Sequence, residues 1–133
     1  MPIAQLNPNQ KQSTETDNRP RFGIGHLALA AGDVDRLTDF YTTIGMRLVV
    51  NMGRMAIVEL RGGTHIILQQ GRPGTGALDL IVDDIDETRD VMVAAGAQDV
   101  TSITRGNPHD RFTATDPEGN TLVIASNHAI GAV

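Results

Sequence analysis

The sequence predicts an α+β fold built from two successive β-α-β-β-β modules. Three observations carry that prediction. The first is an internal repeat: "HLALAAGDVDRLTDFYTTIGMRLV", from His26, returns as "ALDLIVDDIDETRDVMVAAGAQDV", from Ala77, at a constant offset of 51 residues. A repeat of that length reads as one supersecondary unit used twice. The second is a further repeat at an offset of 56, where "GGTHIIL" (62–68) lies over "EGNTLVI" (118–124). The third is that each half shows strand alternation first, then helical spacing, then short strands between turns.

The elements follow in order. Residues 1–20 are rich in Gln, Asn, Thr and Pro without periodicity, and read as a flexible tail. A single domain is expected over 21–128, with module one about 22–70 and module two about 76–127, and a C-terminal tail over 129–133. The first strand of each module alternates, with Leu27 and Leu29 matching Leu78 and Leu80. A helix comes next. Asp33, Asp35 and Asp39 match Asp84, Asp86 and Asp90, and Asp84-x-x-Glu87 is a capping-box variant with Asp as N-cap. Apolar Val34, Leu37, Phe40, Tyr41 and Ile44 recur at helical spacing, as do Ile85, Val91, Met92 and Ala95. Gly45 and Gly96 end the helices, where left-handed geometry favours glycine. A short strand is expected near Leu48 to Asn51, with a counterpart near Val100 to Ile103. "RMAIVEL" and "HIILQQ" complete the first module, and "RFTAT" and "TLVIA" the second. In "DPEGNTLVIAS", Asp116-Pro117 opens a turn and Gly119-Asn120 closes it.

Composition bounds the function. The chain of 133 residues is long enough for one domain with a core. The formal net charge is −5 and no basic cluster exists, which argues against nucleic acid and anionic membranes as partners. Aromatics are 3%, too few for base-stacking platforms. There is no Cys, so thiolate catalysis, thiolate metal sites and disulfides are excluded, which fits a reducing compartment. The only lysine is Lys11, so Schiff-base chemistry from the body is excluded. The start lacks a signal-peptide pattern and no apolar run reaches membrane-spanning length, so the expected location is the cytoplasm.

Paired β-α-β-β-β modules, a His in the "GHLALA" first strand and the final "DPEGNTLVI" hairpin resemble the vicinal oxygen chelate superfamily. That group includes glyoxalase I, extradiol dioxygenases, fosfomycin-resistance enzymes and bleomycin-resistance proteins. The resemblance covers about residues 22–127. It implies that the modules form a cupped mixed sheet, with helices on one side and a ligand on the other, and it implies a homodimer. Strand alternation then assigns the faces. Leu27, Leu29, Ile66, Leu68, Leu78, Leu80, Leu122 and Ile124 should pack under the helices. His26, Ala28, His65, Ile67, Gln69, Ala77, Asp79, Ile81, Thr121, Val123 and Ala125 should face the cup.

Metal-dependent members of the superfamily typically draw ligands from the first and last strands of each module. Carried onto this sequence, those positions are His26, Ile67, Ala77 and Val123. Only His26 has a lone pair to give, and a catalytic zinc generally needs three protein ligands. No cofactor is therefore expected. The alternative is a displaced set, His26, His65 and Asp79, holding a divalent metal such as Zn, Ni, Fe or Mn.

The expected ligand-binding residues are His26, His65, Ile67, Gln69, Ala77, Asp79 and Val123, with His26 and Asp79 the candidates for catalysis. Each has a plain reading beside the functional one. His26 is either a ligand contact or general base, or a histidine satisfied by sheet and water. His65 reads more simply as a strand-start residue beside Gly62-Gly63. Asp79 interrupts an apolar strand, so it should be solvated, ligand-facing, or paired with an arginine such as Arg111. His109 is expected to be a solvated loop residue, His128 to need no special role, and Tyr41 to belong to the core. Asp33, Asp35, Asp84 and Asp86 sit at helix starts, where capping and dipole compensation explain them. "FGIGHL" and "RPGTGA" read as turns, since their glycines lack a phosphate-binding spacing.

Three functions follow as expectations. The first is a metal-free small-molecule binder resembling the bleomycin-resistance branch. The second is an enzyme, a glyoxalase-like lyase or isomerase, working through displaced metal ligands or a His26/Asp79 proton-transfer site. The third is an interaction module with no ligand.

Overall fold

The computed structural model describes residues 17–127. Most of the proposed N-terminal tail, His128 and the tail over 129–133 lie outside the described residues. Strand β1 (His26–Ala31) leads into helix α1 (Val34–Thr43), then β2 (Arg47–Asn51), β3 (Met55–Glu59) and β4 (His65–Gln70). The second module runs β5 (Ala77–Val82), α2 (Ile85–Ala94), β6 (Arg111–Thr115) and β7 (Thr121–Ser126). Each module makes its own sheet. The first has strand order β1-β4-β3-β2, the second β5-β7-β6. In both, the first strand is parallel to the last and the strand between them in sequence is antiparallel.

The helix signals act as their chemistry requires. Asp33 accepts the amide of Arg36 at 3.0 Å, and Asp84 accepts that of Glu87 at 3.0 Å, so both aspartates are N-caps. Gly45 (φ 125°) and Gly96 (φ 103°) reverse the chain after each helix. Met46 N–H then reaches the carbonyl of Tyr41 at 2.9 Å, and Ala97 N–H that of Met92 at 3.0 Å, which satisfies carbonyls left open at the helix ends. Helix α1 buries Val34, Leu37, Phe40 and Tyr41. Helix α2 buries only Ile85 and Met92, so its apolar stripe is narrower than the sequence pattern suggests. Val91, expected on that stripe, is turned toward solvent.

The second module departs from the repeat at Val100 to Ile103. Only isolated bridges form there, Gln98 with Thr115 and Thr104 with Arg111, so the described residues form seven strands. Two local features explain the loss. Asp99 takes φ 51°, which breaks the pleat. The amide of Thr113 then donates to Thr101 Oγ1 at 2.9 Å rather than to a backbone carbonyl.

The two modules share one core. Leu29, Ile66 and Leu68 from the first sheet and Leu78, Leu122 and Ile124 from the second belong to a single buried cluster with both helices. Leu27 and Leu80 pack against it half-buried. The "DPEGN" turn joins the modules. Asp116 is fully buried; its Oδ1 accepts the amides of Glu118 (2.9 Å) and Asn120 (3.0 Å), and its Oδ2 accepts Asn120 Nδ2 (2.9 Å) and the Tyr41 hydroxyl (2.6 Å). Glu118 reaches back to the start of α1, accepting the amides of Asp33 (2.9 Å) and Gly32 (3.2 Å) and an N–H of Arg36 (3.1 Å). Asn120 accepts the amide of Gly76 at 2.9 Å.

Candidate functional site

The faces of the two sheets away from the shared core are open, and strand register arranges their side chains in rows. On the first sheet, one row crosses all four strands as His26, His65, Glu59 and Arg47. The next is Ala28, Ile67, Ile57 and Val50, and the third is Ala30, Gln69 and Met55. The irregularity between Leu48 and Val50 is what returns Val50 to this face, opposite Ile57. A polar row therefore borders an apolar one.

The polar row is connected. The rings of His26 and His65 lie 5.8 Å apart at 31°. His65 Nε2 sits 2.9 Å from Glu59 Oε2, and the other Glu59 oxygen pairs with Arg47. The hydrogen bond from Arg47, then that from His65, hold the Glu59 carboxyl below the ordinary glutamate range, against partial burial. His26 is exposed, and the His65 side chain keeps 30% of its surface.

On the second sheet the rows are Ala77, Thr121 and Thr115; Asp79, Val123 and Thr113; and Ile81, Ala125 and Arg111. Ala77 and Asp79 are exposed and Val123 half-buried, as the alternation predicts. Asp79 has no ion-pair partner among the described residues; Arg111 belongs to the row of Ile81, so the Asp79–Arg111 pair does not form. Ala125 departs from the expected pattern and is buried. Beside it, Asp110 is bonded twice to Ser126, which draws the long loop against the end of β7. His109 on that loop is half-buried rather than solvated.

The sequence-predicted residues thus fall into two groups. His26, His65, Ile67 and Gln69 share the open face of the first sheet, and Ala77, Asp79 and Val123 that of the second. No strand pairing joins the two sheets. Among the described residues no three His, Asp or Glu side chains meet in a metal-holding arrangement, so the single chain does not assemble His26, His65 and Asp79 into one site. Glu59 and Arg47 are the additions sequence reasoning missed. A charged residue closing the apolar run "RMAIVEL" was the available signal, but its partners depend on a register that only the folded sheet reveals.

A separate cavity of about 260 Å³ lies between the modules on the core side. Ile44, Met46, Leu60, Leu80 and Met92 line it, along with Arg61 and Asp83, which form an ion pair at 2.7 Å.

Fold and faces together define a paired-module protein with two open, mixed polar and apolar sheet surfaces. The family model for the Glyoxalase/Bleomycin resistance protein/Dioxygenase superfamily matches residues 23–124, and the chain belongs to that superfamily. No curated protein sequence matches it. Among solved structures, the chain is similar to TioX from Micromonospora sp. ML1, with 22% identity, TM-score 0.66, and coverage of 79% of this chain and 98% of that one. It is also similar to TnmS3, an antibiotic binding protein from Streptomyces sp. CB03234, with 22% identity, TM-score 0.69, and coverage of 82% and 98%. A lactoylglutathione lyase from Agrobacterium tumefaciens gives 21% identity, TM-score 0.69, and coverage of 86% and 100%. At these identities the likeness shows the fold.

The superfamily's metal can be tested against the donors present. Of the four corresponding side chains, Ile67, Ala77 and Val123 carry no lone pair, and His26 is bracketed on its strand row by another imidazole rather than a carboxylate. These residues do not fit the group.

Proposed function

We propose that this chain binds a small organic molecule on its open sheet faces without a metal, and that a second copy of the chain completes the site. The observation that carries the reading is the row Ala28, Ile67, Ile57 and Val50, an apolar strip in which Ala28 is exposed and the other three are half-buried, beside an ordered polar row. Apolar walls with a few convergent polar groups are the usual make-up of a ligand site. The similarity to an antibiotic-binding protein supports the same reading. The second copy is supported by the edges. Among the described residues, strands β1 and β5 each pair on one side only, and Leu48, Val49 and Ile81 are large apolar side chains left exposed. Unpaired edges and exposed apolar groups favour association. The cytoplasm is the proposed location: the chain has no Cys, and no described helix is long and apolar enough to cross a membrane.

Amide NMR titration with naphthol, an aromatic probe, tests the reading. Shifts are expected at Ala28, Ile57, Ile67 and Val123, in a species that sediments as a dimer. Shifts confined to the core-side cavity would sink it.

A second reading, a lyase or isomerase that moves a proton, is favoured by the Glu59–His65 pair, a carboxylate orienting an imidazole. In that reading His26 and Asp79, brought together across two copies, are the acid–base candidates. Formation of lactoylglutathione from methylglyoxal and glutathione, lost on His26→Ala, would favour it over the first.

A further inference from the structure

The polar row on the first sheet fixes a proton position. The Glu59 oxygen 2.9 Å from His65 Nε2 belongs to a carboxylate whose other oxygen pairs with Arg47. A carboxylate can only accept, so the hydrogen of that bond belongs to His65 Nε2. A neutral imidazole carries one N–H, so Nδ1 of His65 is left as a lone-pair acceptor. No hydrogen bond to that atom forms among the described residues, and the His65 side chain keeps 30% of its surface exposed. The His65 ring stands on the open face, beside His26 and in the row next to Ile67 and Ile57. Arg47 balances the Glu59 charge, so the row does not demand a cation from its ligand.

We propose that Glu59 is a positioning residue that holds His65 as the Nε2–H tautomer, and that His65 Nδ1 selects ligands bearing a hydroxyl donor on an apolar body, phenols being the simplest class. This rests on the reading of the open face as a binding surface and names the chemistry it prefers. The apolar row takes the ring, and the polar row takes the hydroxyl proton. A ligand whose oxygen is capped by a methyl group keeps the first contact and loses the second.

Two measurements test it at mildly alkaline pH, where imidazole is neutral. The first is histidine ring-nitrogen NMR on the ligand-free protein. His65 is expected as the Nε2–H tautomer, shifting to a mixture in Glu59→Gln, whose amide can donate as well as accept. An Nδ1–H tautomer in the unaltered protein overturns the proposal whatever the ligand does. The second compares naphthol with its methyl ether by amide NMR and by probe fluorescence, which the absence of Trp keeps free of background. Naphthol is expected to bind ~fivefold tighter, the worth of one net hydrogen bond. That preference should vanish in His65→Phe and shrink in Glu59→Gln. Equal binding of both probes on the open face, or a preference that survives His65→Phe, overturns the tautomer selection while leaving the binding surface intact. If neither probe moves the open-face amides, the binding surface itself is refuted and the proposal with it.

Discussion

The Tyr41 hydroxyl donates to Asp116 Oδ2 at 2.6 Å, in a site where both residues are fully buried. Tyr41 sits on the helix of the first module and Asp116 at the turn of the second, so the bond ties the modules together through the core. Burial, and then the Asp116 charge, push the phenol far above its ordinary range, so it remains a donor. Tyr41→Phe leaves a buried carboxylate oxygen short of a partner and should cost about 1–3 kcal/mol. Asp116→Ala should cost more, because it also frees the amides of Glu118 and Asn120. Urea unfolding of both variants and the double variant checks this; additive effects would refute the coupling.

Glu118 links acid sensitivity to the same junction. Burial pushes its carboxyl up, but the amides of Asp33 and Gly32 and the Arg36 guanidinium outweigh that and lower it overall. A folded value below the unfolded one means that the unfolded chain takes up the proton first. The stabilisation is therefore complete above the ordinary glutamate value of 4.5 and is lost as pH falls through the folded value. Glu118→Gln should destabilise at neutral pH, and its deficit relative to the unaltered protein should shrink in denaturant melts taken at successively lower pH.

Gly76→Ala tests the packing between β1 and the start of β5. An added Cβ would lie 2.3 Å from Leu29 Cδ2 and 2.9 Å from Asn120 Oδ1. Leu29 is a core residue and Asn120 is fully buried, so neither has room to give. Overpacking of this kind costs about 1–3 kcal/mol. A lower thermal midpoint is expected; an unchanged one would show that the junction is looser than the contact implies.

Metal affinity can be written back into the face. Ala77 and Val123 are on one face of the second sheet, one row apart on neighbouring strands, within reach of longer side chains. Calorimetry should show no tight zinc binding by the unaltered chain. Ala77→His with Val123→Glu supplies two donors on that face, and in the proposed dimer His26 from the other sheet face would be a third. The double variant should gain affinity for zinc or nickel, and the single variants little. Tight zinc binding by the unaltered chain would count against the donor assignment.

Most of the fold was legible in the sequence because its signals are local. Asp33 and Asp84 cap with their own side chains, Gly45 and Gly96 adopt a backbone geometry other residues resist, and alternation in "HLALAA" and "ALDLIV" sorts core from open face. Hydrogen-bond reach and pleat period are set within a few residues, so the repeat could be aligned without seeing the molecule. The absence of donors at Ile67, Ala77 and Val123 was equally readable, since it needs only the identity of side chains. Tertiary structure decided what depends on partners distant in the chain. Thr101 replaces a carbonyl as the acceptor for Thr113 and dissolves an expected strand. The "DPEGN" turn, in sequence only a turn, becomes the clasp between modules because Tyr41, Gly76 and Arg36 are brought to it. Glu59 and Arg47 join His65 only through sheet register, and register is fixed by which faces the core demands, a property of the whole sheet rather than of any one strand.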